Sequence, residues 1–163
     1  MNNFIMNPAI VKITALLATG LLAGAFFYGL FNVAATFKEV PLEVHLIYRI
    51  QLMKHNSIVM QLLMLLSMLL PLWYAISIKE NLQAKTAALF AVTFALASFL
   101  ITRFGNVPIN GLIKTWQINN LPDNWSMLLK RWDMFHMMRT ATAFVCFFLM
   151  ILSAHLASKN NLG

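Results

Sequence analysis

Four long apolar runs dominate this sequence, and a chain that has to shelter all of them from water has few folds open to it. Residues 9–37 are apolar apart from Lys12, Asn32 and small hydroxyl residues. Residues 57–78 carry no charge, residues 86–102 are closed by Arg103, and residues 134–157 form the last run. A helix rises 1.5 Å per residue, so about 20 residues cross the roughly 30 Å hydrocarbon core of a bilayer. Each run is long enough, the third only just. The first run follows the outline of a signal peptide, but it far exceeds a signal core of about 7–15 residues and reads as a retained span.

Composition excludes the alternatives. Of 163 residues, 60% are hydrophobic and 10% are charged, against about 45–50% and about 25% in soluble domains. The net charge of +7 comes from basic residues scattered between apolar runs, which suits membrane flanks and not a phosphate-binding face. Nucleic acid is therefore not an expected partner, whereas the lipid bilayer is. A single cysteine, Cys146, excludes an internal disulfide, a CxxC redox centre and a Cys-rich zinc site. The expected fold is all-α: one domain, residues 1–163, built as an integral membrane four-helix bundle. We expect a multi-pass protein of a bacterial inner membrane.

The connections are unequal. Loop 2 (79–85) is short and makes spans 2 and 3 antiparallel neighbours. Loops 1 (38–56) and 3 (103–133) are longer, partly helical, and share the opposite side. Pro41 suits a first helical position, which would extend span 2 backwards and put His45 and Arg49, spaced i,i+4, on one face. Loop 3 opens with Gly105-Asn106-Val107-Pro108-Ile109-Asn110-Gly111, read as too rich in breakers for a regular helix. Asp123 is placed to cap the helix leading into span 4. Basic residues number eight on the loop 1/loop 3 side and four on the other, but without the arginines the lysines divide evenly. The side that the site faces stays undetermined.

Polar side chains near hydrocarbon are costly and mark sites. Trp132, His136 and Arg139 are spaced i,i+4,i+7 and fall on one stripe of span 4. That stripe has to face protein or a water-filled cavity, unless Arg139 is an interfacial anchor and His136 only packs. His136 and His155 are about 28 Å apart along one helix and cannot share an ion. His45 and His55 do not turn to one point, and no Glu-x-x-His spacing accompanies them. No metal site is expected, and no cofactor. The eleven methionines, Met134, Met137 and Met138 among them, read as packing. Trp73 and Tyr74 suit an interfacial belt, and Trp116 and Trp125 suit either that belt or the walls of an aromatic pocket. Asp133 pairs with Lys130 or caps its helix. Gly20 and Gly24 form a GxxxG that permits close helix contact, within the bundle or in a homo-oligomer.

Two segments carry a family resemblance: Asn106-Val107-Pro108-Ile109-Asn110 followed by Trp116, and Arg131-Trp132-Asp133 with His136, Met137, Met138, Arg139 and Thr140. The arrangement resembles the anthrone oxygenase-like family of small four-span membrane proteins. That resemblance implies a four-helix membrane bundle. For characterised members it also implies oxygenation of an anthrone to an anthraquinone by O₂ without an obvious cofactor. It places Asn106, Asn110, Trp132, His136 and Arg139 in the site; Arg49 and His55 join them on position alone. The expected activity is that of a membrane-embedded oxygenase acting on a small apolar, anthrone-like substrate. His136 would be the general base, Arg139 and Asn110 would stabilise an oxyanion, and Trp132 would form a wall for a flat ring. Whether the chain is an enzyme stays open at this point. A non-enzymatic accessory subunit or a small-molecule or lipid binder would use the same residues.

Overall fold

In a computed structural model, residues 7–159 are described, and they form five helices joined by short connections. Helix α1 (Pro8–Tyr28) runs on through a π-helical turn, Gly29–Val33, and a last turn, Ala34–Thr36. Helix α2 (Leu42–Ser77) is continuous through Pro71. Helix α3 (Leu82–Ile101) passes through a second π-helical turn, Thr102–Asn106, into the short α4 (Val107–Ile113). Helix α5 (Trp125–Lys159) closes the bundle. Four continuous helical stretches are each long and apolar enough to cross a membrane. The fold is the expected four-helix bundle, with the second, third and fourth helical stretches prolonged well beyond their apolar runs on the loop 1/loop 3 side.

Helix packing rests on small residues. Ala84, Ala88, Ala91, Ala95 and Ser98 recur every three or four residues and are buried on one face of α3, which lets α3 and α5 approach closely. Side-chain hydroxyls and an amide tie helices to foreign carbonyls. Ser67 Oγ donates to Ala18 O at 3.1 Å, Ser98 Oγ to Arg139 O at 3.1 Å and Ser153 Oγ to Ala84 O at 2.6 Å. Asn81 caps α3 through Ala84 N and donates to Leu156 O. Larger apolar side chains such as Leu62, Leu69 and Phe148 face outward, where lipid would meet them.

Several local expectations are corrected. The Gly105–Gly111 stretch is helical: the π-helical turn Thr102–Asn106 takes up the irregularity directly ahead of Pro108, which falls in the first turn of α4. Helix α5 begins at Trp125, with the Asn124 carbonyl accepting from Leu128 N, so the cap position falls on Asn124 and not Asp123. Tyr74 is not a belt residue: it is buried with Ala75, Cys146 and Met150. Trp116, from the 114–124 connection, and Trp125 pack on Leu46, Ile113 and Leu129. Gly20 takes the Phe147 ring, whereas Gly24 has open space around it, so only half of the GxxxG pattern serves the bundle.

Candidate functional site

The polar residues converge at the loop 1/loop 3 end. In α5, Trp132, His136 and Arg139 lie along one stripe as their spacing requires. His136 is 2% exposed, and Arg139 Nε donates to its Nδ1 at 3.0 Å. The other ring nitrogen is packed against the first π-helical turn, where a Cβ on Gly29 would lie 3.1 Å from His136 Nε2. Only glycine lets the imidazole sit there undisturbed. Arg139 reaches Thr102 Oγ1 at a long 3.5 Å, and its guanidinium lies over the Phe26 ring at 4.4 Å and the Trp132 ring at 5.5 Å.

A second couple of the same kind stands opposite, on α2. Arg49 Nε donates to His45 Nε2 at 2.9 Å, and the Arg49 guanidinium lies 4.2 Å from the Trp132 ring and 5.2 Å from the Phe37 ring. Phe37 in turn stacks on His45 at 4.4 Å. The Trp132 indole thus takes a cation from each couple, and cation–π contacts strengthen where water is excluded. Asn110 Oδ1 accepts from Trp132 Nε1 at 2.7 Å, and Asn106 Nδ2 donates to Trp132 O at 3.0 Å. Two asparagines of the π-turn region therefore fix Trp132 in place, and Asn110 keeps its amide donor for other partners.

The charges do not balance. The carboxylate beside Arg49 is that of Asp133, 3.9 Å from Arg49 Nη2 and 3.8 Å from the ammonium of the exposed Lys38. The expected pairing of Asp133 with Lys130 is replaced, because α2 brings Arg49 to the inner side of α5 and Lys38 closes over it. Arg49 is 4% exposed, and its Nη1 is buried with no protein partner, as is Asn106 Oδ1. A buried guanidinium, Arg49, and a half-buried one, Arg139, meet at Trp132, and the carboxylate pairs with Arg49 and Lys38 alone, which leaves an excess of positive charge in a poorly solvated place, where unpaired charge is expensive.

Of the candidate residues, His136, Arg139, Asn110, Asn106, Trp132 and Arg49 come together. His55 is exposed and stands apart from them. His45, legible in the sequence as the i,i+4 partner of Arg49, joins the site although its spacing alone does not single it out. Gly29, Phe26 and Phe37 gave no signal, since apolar residues and glycine in an apolar span look like any others. Among the described residues, no three His, Cys, Asp or Glu side chains converge as metal ligands. Two recesses open sideways from the bundle. A cleft of about 310 Å³ between α2 and α3 is lined by Gln61, Met64, Phe99, Thr102, Arg103 and Val107. A groove of about 490 Å³ on α1 is lined by Leu16, Leu17, Gly20, Leu21, Gly24, Ala25 and Phe147.

Fold and site together define a multi-pass membrane protein with a cationic, aromatic-walled polar centre at one end of a four-helix bundle. The chain belongs to the anthrone oxygenase family, whose sequence profile matches residues 50–149. Among curated proteins and solved structures, none matches it. His45, Arg49 and all of α1 lie before the matched segment, so half of the cationic centre comes from outside it.

Proposed function

We propose that the protein is a membrane-embedded, cofactor-independent oxygenase of a small apolar aromatic substrate of the anthrone type. An inner bacterial membrane is the proposed location, since outer membranes are spanned by barrels and not by helices. The observation that carries the reading is the buried excess of guanidinium charge around Trp132. Such a centre favours an anion over its neutral parent, which is what removal of a proton from an anthrone produces. The substrate oxygen takes the Arg139 guanidinium away from His136, and the freed Nδ1 accepts a proton from the acidic C–H. Asn110 donates its amide to the same oxygen, and Trp132 lies along the ring. The electron-rich enolate then bonds to O₂, and loss of water from the resulting hydroperoxide leaves the new carbonyl. One O₂ is consumed; one of its atoms stays in the quinone and the other leaves as water.

The test is reconstitution of the full chain in lipid nanodiscs with anthrone under air. One quinone per O₂ consumed, at a rate unchanged by a chelator, is the expected result; no turnover, or turnover only after metal is added, overturns it. A binding role is the second reading, favoured by one observation. In the resting structure Arg139 occupies one nitrogen of His136 and Gly29 crowds the other, as in a ring held for packing. Anthrone that binds without being consumed would support that role.

A further inference from the structure

Two recesses on the lipid-facing surface differ in chemistry. The groove on α1 is lined by apolar residues and glycines alone, which suits an acyl chain and nothing more selective. The cleft between α2 and α3 has apolar walls (Met64, Phe99 and Val107) and three groups that can hydrogen-bond, Gln61, Thr102 and Arg103. Apolar walls with a few placed polar groups are what a small-molecule site requires, and about 310 Å³ is at the lower end of the usual range.

Its position is informative. Gln61 is exposed on α2, four residues inside the uncharged 57–78 run, and Arg103 closes the third run from the same side. A polar side chain at that depth needs a reason. The cleft therefore sits where hydrocarbon gives way to headgroups, the zone in which flat rings bearing one polar edge collect. Its inner wall is Thr102, whose hydroxyl receives Arg139 Nη1 at 3.5 Å. That contact is long enough to be weak and easily exchanged. A carbonyl oxygen arriving beside Thr102 would stand one hydrogen bond from the guanidinium that holds His136.

We propose that this cleft is the substrate's way in from the bilayer and its first resting place, from which it passes inward to the centre around Trp132. Its occupant is a planar aromatic ketone that enters between α2 and α3, ring against Met64 and Phe99, oxygen inward to Thr102 and Arg139. The proposal rests on the oxygenase reading for the class of ligand, and goes beyond it in saying where the ligand enters and which residues select it. Gln61 and Val107, from opposite walls, set the width of the opening.

The probe is anthraquinone, a planar diketone that is not itself oxidised and whose photoexcited carbonyl attacks neighbouring C–H bonds. The full chain in phosphatidylcholine nanodiscs is irradiated with it and the labelled peptides are mapped by mass spectrometry. Labelling is expected on Met64 and around Phe99. Gln61→Phe and Val107→Phe, both at exposed positions, are each expected to reduce it about tenfold by filling the cleft. Gly24→Leu, which fills the α1 groove, is expected to leave it unchanged. Labelling centred on the α1 groove, spread evenly over the lipid-facing surface, or indifferent to both cleft substitutions overturns the proposal. Turnover without labelling at the cleft sinks the cleft and spares the oxygenase; cleft labelling in a chain that consumes no O₂ does the reverse.

Discussion

An arginine whose Nε–H is held by a histidine turns its outer nitrogens toward other groups, and this chain does that twice, at His45–Arg49 and His136–Arg139. The spacing of Trp132, His136 and Arg139 made their common stripe legible from sequence, as did the i,i+4 relation of His45 to Arg49. The meeting of the two couples across one indole was not legible, because it depends on how α2 and α5 are rotated against each other. Position alone named both Arg49, which meets Trp132, and His55, which is exposed on the same helix. His136→Ala is expected to abolish quinone formation while thermal unfolding of the reconstituted protein shifts little; activity and stability falling together would mark the ring as packing only. Trp132→Phe removes the 2.7 Å bond to Asn110 and the better cation–π face, at a cost of about 1 kcal/mol in stability by denaturant titration.

Helices α1 and α3 each lead into a π-helical turn, and each turn carries a glycine pressed against successive residues of α5. Gly29 faces His136, and Gly105 faces Phe135. A π turn adds one residue to the helix and re-aims the residues beyond it, and such turns gather at functional sites. The breaker-rich 105–111 sequence announced an irregularity there, but not that the helix would run through it. No composition marks the Gly29–Val33 turn. A Cβ at Gly105 would lie 2.5 Å from Phe135 Cγ, close to the root of the ring, so Gly105→Ala is expected to destabilise the bundle by about 1–3 kcal/mol. At Gly29 the neighbour is the far edge of the imidazole, 3.1 Å away. Gly29→Ala is therefore expected to lower kcat severalfold with little change in unfolding midpoint, a separation that kinetics and thermal melts on the same preparation will show.

Across the whole molecule, the four apolar runs determined the architecture because hydrocarbon leaves the backbone only helices or closed barrels to choose from. The alanine and serine face of α3, at three- and four-residue spacing, explains how α3 and α5 come so close. What composition could not show is the charge excess: Lys38, Arg49, Asp133 and Arg139 come from two long helices and a connection, and only packing reveals two guanidiniums on one indole with a carboxylate beside just one of them. The bilayer would supply both an apolar substrate and O₂, and this end of the bundle would hold the anion between them. The decisive measurement is the absorption spectrum of anthrone mixed with the reconstituted protein under strict exclusion of O₂. The long-wavelength band of the enolate is expected to appear with the wild-type chain, to decay when O₂ is admitted, and to be missing with His136→Ala. A wild-type protein that makes quinone under air while showing only neutral anthrone without it would contradict a cationic centre that ionises its substrate.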